Sequence, residues 1–160
     1  MAENIAHAES SLATKLIKYW LPVLAAIGLM YYFSTDIFSG DNTRGVIKSL
    51  LHWLAPDASE KTALKINYAV RKAMHFIEYG LLAALVFRAF RADSTRAYRA
   101  RWAVYSLVIV LGWAVIDEYH QSLTRTRGGS VIDVLIDSAG GLSALLLISV
   151  LSIRKRRDAT

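Results

Sequence analysis

The sequence contains no cysteine at all. This absence excludes disulfide bridges, zinc sites built on thiolates and a cysteine nucleophile, and it leaves the redox compartment open. There is also no H-E-x-x-H motif, and no serine or threonine lies in a recognisable nucleophile motif. Any chemistry of this chain must therefore use histidine, carboxylate, lysine or arginine side chains.

Acidic residues are fewer than basic ones, 13 against 19, which gives a net charge of +6. A positive balance is one sign of nucleic-acid binding, but these basic residues lie beside apolar blocks, a placement typical of membrane topology. We therefore expect no nucleic-acid partner. The residues AVILMFWYC make up 54% of the chain, above the roughly 45–50% of globular proteins. The first apolar block ends in "LMYYFSTDIF" without a small-residue cleavage site, which favours a permanent anchor over a signal peptide.

Four segments are predicted to cross a membrane, and residues 1–160 are predicted to form a single domain. A hydrocarbon core of about 30 Å requires about 20 helical residues. The second and third segments do not reach this length with apolar residues alone, so their helices must continue through polar stretches such as "DEYHQ". Their polar groups are therefore predicted to lie below the membrane surface. The four predicted spans are residues 16–33, 67–90, 102–121 and 131–153.

The flanking charges predict how the chain is oriented. Eleven basic residues lie on one side of a four-span topology and six on the other, so both termini are predicted to be cytoplasmic. In the outer loop, residues 34–65, "TRGVIKSLLHWLAP" carries Val46, Ile47, Leu50, Leu51 and Leu54 at helical spacing. This pattern predicts an amphipathic helix that lies on the membrane surface or caps the bundle. The predicted fold is thus all-α, a four-helix membrane bundle with an interfacial helix between spans one and two.

Ionisable and polar side chains share one face on each of the last three spans. An ionisable group near the bilayer centre costs about 2.5–3.5 kcal/mol, so such groups cannot all face lipid. In the predicted topology they lie toward the outer ends of their helices, and they are predicted to meet in one outward-facing polar pocket. The members are Lys72, His75, Glu78 and Tyr79 on span two, Asp117, Glu118, His120 and Gln121 on span three, and Asp133 and Asp137 on span four.

Several kinds of chemistry fit such a pocket. His75 or Glu118 is a candidate general base that would activate a hydroxyl group or water. Lys72 together with Arg127 suits an anionic head group such as a phosphate. His75, His120, Asp117 and Glu118 are also candidate metal ligands, but there is no thiolate and a hard cation prefers an all-oxygen cage. We expect neither a metal nor another cofactor. A proton or ion path through the acids is a further alternative.

The same residues also have purely structural interpretations. Lys72 with Glu78 or Asp117 would form an ion pair between helices. His75 would be a hydrogen-bond partner between helices, and the Gly140–Gly141 pair would permit close helix packing. These interpretations remain open at the level of the sequence.

Two stretches carry a family resemblance: "RKAMHFIEYGLLAAL" (Arg71–Leu85) and "IDEYHQSLTRTRGGSVIDVLIDSAGGL" (Ile116–Leu142). Together they resemble the VanZ-like family of small bacterial membrane proteins, which pairs a K-x-x-H-F element with D-E-x-H-Q, a loop arginine and an acid before a glycine pair. Two departures stand out. "SLTRTRGGS" replaces a frequent Pro-Gly before the arginine, and Asp137 occupies a position where asparagine is common.

The resemblance implies a multi-pass protein of the bacterial inner membrane, and the family's namesake is associated with low-level resistance to the lipoglycopeptide teicoplanin. We expect the pocket to bind a lipid-linked envelope component or a lipoglycopeptide, with membrane lipids as the surrounding partners. One alternative is a membrane-embedded hydrolase or transferase that acts on a lipid head group, with His75 or Glu118 as base. Another is a structural or assembly partner of envelope machinery. The residues that match the family's motif positions are also the predicted ligand-binding residues: Lys72, His75, Glu78, Tyr79, Asp117, Glu118, His120, Gln121, Arg127, Asp133 and Asp137.

Overall fold

The computed structural model describes residues 2–35, 40–96, 98–124 and 128–157, and these ranges form five α-helices and no strand. The predicted all-α fold is confirmed. The elements in chain order are α1 (Ala2–Phe33), α2 (Gly40–Leu54), α3 (Glu60–Arg91), α4 (Ala100–Ser122) and α5 (Val131–Arg157).

Four of the helices are long and apolar enough to cross a membrane: α1, α3, α4 and α5. Each candidate span contains the corresponding predicted span, and the main difference is that the second begins earlier, at Glu60. Helix α4 continues without interruption through "DEYHQ" to Ser122, as the length argument required. The chain is therefore a multi-pass membrane protein. The candidate spans are Leu12–Phe33, Glu60–Arg91, Ala100–Ser122 and Val131–Lys155.

Helix α3 is the central element, because it packs against each of the other four helices. Its most extensive contact is with α5. The core contains Leu82 and Val86 of α3 and Val110 of α4, all fully buried, together with Val23 of α1 and Leu145 of α5. Many other apolar side chains point away from this core, and Leu135, Leu142 and Leu146 of α5 are each more than 40% exposed. An apolar surface of this extent is typical of helices that contact acyl chains.

The predicted amphipathic helix of the outer loop is present as α2. It packs on α3, while Val46, Leu50 and Trp53 are 51–78% exposed. These three residues have i, i+4, i+7 spacing, so they form one apolar stripe that the described parts of the chain do not cover. An uncovered apolar stripe on a surface helix suits the boundary between head groups and acyl chains. Its position at the membrane interface remains a prediction.

A polar contact joins α1 to the loop between α3 and α4. The Tyr19 hydroxyl donates a hydrogen bond to the Asp93 carboxylate, and Lys18 and Lys15 lie 3.4 and 3.7 Å from the same carboxylate. The hydrogen bond from Tyr19 and the two lysines together hold the pKa of Asp93 below its ordinary value. The Arg88 guanidinium lies over the Tyr19 ring, 5.2 Å from its centroid. This contact fixes α1 at the end of the bundle that carries most of the basic residues.

Candidate functional site

The polar face of α3 meets α4 and α5 at the level where α4 ends and α5 begins. Lys72, the thirteenth residue of α3, forms an ion pair with Asp133, the third residue of α5. About ten residues of α3 therefore extend beyond the start of α5, a length of roughly 15 Å. Helix α2 packs on α3, and the polar cluster lies one to two turns inside the ends of α4 and α5.

The ion pair of Lys72 with Asp133 forms the most accessible part of the cluster. The two side chains are 22% and 18% exposed. The Lys72 ammonium also lies over the ring of Tyr68, 5.1 Å from its centroid, an arrangement that favours the cation. The sequence suggested Glu78 or Asp117 as the partner of Lys72, whereas the structure pairs it with Asp133. Both the anion and the aromatic ring hold the ammonium group in place.

His75 and Asp137 lie deeper. His75 Nδ1 is 3.3 Å from Asp137 Oδ1, but the angles are not those of a hydrogen bond, so the contact is a close electrostatic one. Asp137 is completely buried, and neither of its carboxylate oxygens accepts a hydrogen bond from the residues that the structure describes. A buried carboxylate without donors is costly. It therefore marks a place where another group is expected.

Asp117 of α4 completes this deeper part of the cluster and is 3% exposed. Its Oδ2 atom accepts a hydrogen bond from Gln121 Nε2 at 2.9 Å and a long one from the Tyr79 hydroxyl at 3.4 Å. Its Oδ1 atom has no hydrogen-bond donor within the described parts of the chain. Tyr79 and Gln121 are themselves buried behind Asp117. They therefore orient the carboxylate so that one of its oxygens is held and the other is left open.

Glu118 connects the end of α4 to the start of α5. Its Oε2 atom accepts a hydrogen bond of 2.7 Å from the backbone N–H of Ser130. The chain passes very close at this point, because a Cβ on Gly129 would lie 2.7 Å from the carbonyl oxygen of Glu118. A glycine at position 129 is therefore required for the approach. Glu118 is 5% exposed, and its structural contact is better defined than the role of general base that the sequence suggested.

Removing this tether is expected to destabilise the protein. Glu118→Ala should lower the free energy of unfolding by about 2 kcal/mol, because a charge-assisted hydrogen bond is lost and the Ser130 N–H remains unpaired. Glu118→Gln retains an oxygen acceptor and should cost less than half as much. Glu60→Ala is the matched control, since Glu60 is exposed and its ion pair with Lys48 spans 3.8 Å. Detergent-induced unfolding followed by tryptophan fluorescence measures all three. Equal losses for Glu118→Ala and Glu118→Gln would contradict the tether.

The remaining predicted site residues lie at different places. His120 faces α1, where its ring stacks at 4.5 Å from the Tyr31 ring centroid with a tilt of 35°. Glu78 is partly buried on α3 and has interaction partners. Arg127 lies outside the described residues. The structure thus brings Lys72, His75, Tyr79, Asp117, Gln121, Asp133 and Asp137 together, with Glu118 beside them, and it places His120 against α1.

Three contributors were not predicted from the sequence. Tyr68 lies one turn before Lys72, and this i, i+4 spacing of an aromatic residue and a cation was the available signal. Ser130 contributes through its backbone N–H, and Tyr31 reaches His120 from a helix that is distant in sequence. Neither of these two contacts has a sequence pattern that would reveal it.

The structure also contains a groove of about 470 Å³ between α2 and the start of α3, lined in part by Lys48, His52 and Glu60. It lies about nine residues along α3 from Lys72, roughly 14 Å. Its position differs from that of the predicted pocket. We base the candidate site on the polar cluster, because the cluster contains the buried carboxylates whose oxygens lack donors, whereas the groove has charged groups only at its exposed rim.

Comparison with known proteins identifies a family. The model of the VanZ/LLP1 family matches residues 19–152. This range runs from the membrane part of α1 through nearly all of α5 and includes the whole polar cluster. No curated protein and no solved structure matches the chain.

Proposed function

The chain belongs to the VanZ/LLP1 family, and we propose that it is a bacterial inner-membrane protein whose polar cluster binds the head group of a cell-envelope amphiphile. The proposed ligand is a lipid-linked envelope precursor or a lipoglycopeptide. The observation that carries the proposal is that Lys72, Asp117 and Asp137, from three different helices, come together inside the apolar bundle. So many ionisable groups persist in a membrane only when they face each other or a polar ligand.

The cluster has two parts: the accessible ion pair of Lys72 with Asp133, and the buried carboxylates of Asp117 and Asp137. Lys72 and Asp133 are about one-fifth exposed, so a ligand can reach them. An ammonium and a carboxylate side by side can bind the phosphate and the amide groups of an envelope precursor. Arg127 belongs to the short connection between α4 and α5, and we include it as the second cation of the site. Tyr79 and Gln121 act in this proposal as positioning residues, because both hold Asp117.

Ligand binding by the purified full-length protein in lipid nanodiscs tests the proposal. Native mass spectrometry would measure retention of a lipid-linked peptidoglycan precursor in one arm and of teicoplanin in the other. We expect Lys72→Ala and Arg127→Ala to weaken binding of at least one ligand by about ten-fold, the equivalent of one lost ionic contact of about 1.4 kcal/mol. Lys48→Ala is the matched control, since Lys48 is 63% exposed on α2, and it should bind as the wild type does.

The two arms identify the ligand class, and the same variants report on the biological role. If the protein contributes to teicoplanin resistance, its expression should raise the inhibitory teicoplanin concentration, and Arg127→Ala should abolish the rise at equal expression. Wild-type affinity for both ligands in Lys72→Ala and Arg127→Ala would refute the proposal. Loss of binding in Lys48→Ala to the same extent would do so as well.

One observation favours an enzyme as the second candidate. His75 lies 3.3 Å from the buried carboxylate of Asp137, and a histidine beside an acid is a common arrangement for a general base. The protein would then be a hydrolase or transferase that acts on a lipid head group. This alternative predicts turnover, so lipid profiles of cells with wild-type protein should differ from those with His75→Gln. Identical profiles would count against it.

A further inference from the structure

The atoms of His75, Asp117 and Asp137 that could bind a metal all lie within 4.8 Å of one another. The three residues come from α3, α4 and α5, so the site exists only when these helices are packed together. The distance of 3.3 Å between His75 Nδ1 and Asp137 Oδ1 equals the edge of a tetrahedron with metal–ligand bonds of about 2.0–2.1 Å. A carboxylate oxygen of Asp117 lies within 4.8 Å of the other two ligand atoms and would move closer to them when a metal ion binds.

The lone pairs of these side chains that accept no hydrogen bond are a second, independent indication of a cation site. Asp137 is completely buried, and its Oδ2 atom has neither a hydrogen bond nor an ion pair with any described residue. Asp117 Oδ1 and His75 Nδ1 likewise lack hydrogen bonds in the described ranges. The Lys72 ammonium is paired with Asp133. Asp117 is compensated only at Oδ2 and Asp137 only by its contact with His75, so both buried carboxylates keep a large part of their desolvation cost.

Asp117 has the surroundings of a metal ligand, because neighbouring side chains donate hydrogen bonds to its carboxylate. Gln121 and Tyr79 both donate to Oδ2, which holds the carboxylate and leaves Oδ1 without a hydrogen bond from the described residues. Ligating carboxylates in metalloproteins are commonly held in this way by outer donors. If the Asp117 carboxylate served only to balance a local charge, hydrogen bonds to both of its oxygens would stabilise it more than hydrogen bonds to one.

We propose that His75, Asp117 and Asp137 bind a divalent first-row transition metal ion, Zn²⁺ or Mn²⁺. A mixed set of one imidazole and two carboxylates suits these ions, whereas Mg²⁺ and Ca²⁺ prefer all-oxygen sites. Three protein ligands leave at least one coordination position open, as in metal sites that bind an exogenous group. The sequence led us to expect no metal, because it contains no H-E-x-x-H motif and no thiolate, and a hard cation prefers an all-oxygen cage. The three-dimensional arrangement favours the opposite conclusion.

This inference goes beyond the proposed function and does not depend on it. An anionic head group would be able to occupy the open coordination position, but the ion would bind in the absence of any lipid ligand. A result that contradicts metal binding would therefore leave the head-group proposal standing, and a result that contradicts head-group binding would leave the metal site standing. The proposed amphiphile is absent from the experiment that tests the metal site.

The test uses the full-length protein, stripped with a chelator and equilibrated in detergent with Zn²⁺, Mn²⁺ or Mg²⁺ in separate arms. Bound metal is counted by inductively coupled plasma mass spectrometry. We expect about one Zn²⁺ or Mn²⁺ per chain and weaker binding of Mg²⁺.

Asp137→Asn, which preserves shape, should weaken metal binding by about 100-fold. Gln121→Leu should weaken it by about ten-fold, because Gln121 holds the Asp117 carboxylate. Glu60→Gln removes an exposed carboxylate of α3 and should have no effect.

X-ray absorption of the Zn²⁺-loaded wild type provides a second readout that does not require the variants to fold. The wild-type spectrum by itself should show the outer-shell scattering of one imidazole. In a folded His75→Gln variant this scattering should be absent. Absence of the imidazole signal in the wild type would overturn the proposal. So would wild-type affinity in folded Asp137→Asn, or an equal loss in Glu60→Gln. Failure of the wild type to bind either transition metal would also overturn it.

Discussion

Gly140→Ala is expected to lower the free energy of unfolding by about 3 kcal/mol or more, because α3 and α5 touch backbone to backbone at this glycine. A Cβ at position 140 would lie 2.1 Å from the carbonyl oxygen of Phe76 and 2.9 Å from its carbonyl carbon. Overpacking costs about 1–3 kcal/mol where side chains can shift. Here both contacted atoms belong to the main chain, so the two helices must separate.

The expected separation would also disturb the polar cluster. Gly140 lies one turn after Asp137, and Phe76 directly follows His75 in the sequence. The close contact between helices thus sets the distance between the histidine and the carboxylate. Gly140→Ala should therefore reduce Zn²⁺ binding even at temperatures where the protein remains folded.

Gly112→Ala is the matched control for this prediction. Gly112 lies in the middle of α4, and a Cβ there would meet no atom within 4 Å. This substitution should be neutral or stabilise the protein by up to about 1 kcal/mol, because alanine has the higher helix propensity. Thermal unfolding in detergent, followed by circular dichroism, would compare the two variants. Similar stability of Gly140→Ala and Gly112→Ala would contradict the close backbone contact between α3 and α5 at Gly140.

The existence of the cluster could be predicted from the sequence because its residues interrupt helices that must be long. Asp117 and Glu118 occur after only fifteen residues of the third span, so α4 had to carry them into the bundle. Helical spacing then placed Lys72 and His75 on one face of α3. The length requirement and the helical period were sufficient to show that these groups converge.

The pairing inside the cluster could not be predicted in the same way. Lys72 had three acids within plausible reach, and spacing alone does not distinguish them. The choice of Asp133 depends on how far α5 is rotated about its own axis and shifted along α3. Those two quantities are set by backbone contacts at Gly140 and by the approach of Gly141 to Val110, where a Cβ would lie 2.7 Å from Val110 Cγ1.

The position of His120 was not predictable for a related reason. His120 lies one turn after Ile116 and three residues after Asp117, so spacing placed it with the acids. The structure turns its ring to Tyr31 of α1. Because α1 is joined to the other spans by a long connection, nothing in the sequence fixes which face of α4 it covers.

Lys72→Met is expected to lower the free energy of unfolding by about 3 kcal/mol, since it leaves the Asp133 carboxylate without its partner. Breaking a buried ion pair on one side typically costs about 3–5 kcal/mol, and the partial exposure of both groups places this pair at the lower end. The double variant Lys72→Met/Asp133→Asn removes both charges. It should lose much less than the sum of the single variants, with a coupling energy of about 1–3 kcal/mol.

The charge-swapped variant Lys72→Asp/Asp133→Lys separates a structural role of this pair from a role in ligand binding. If the pair only holds α3 to α5, the swap should restore both the stability and the cellular phenotype. If it forms part of a head-group site, the swap should restore stability but not ligand binding, because the ammonium and the carboxylate have exchanged places relative to Tyr68 and Asp137. Unfolding in detergent and ligand retention in nanodiscs, measured on the same preparations, give the two readouts. Strict additivity of the single substitutions would contradict the ion pair itself, because additive effects mean that the two side chains do not interact.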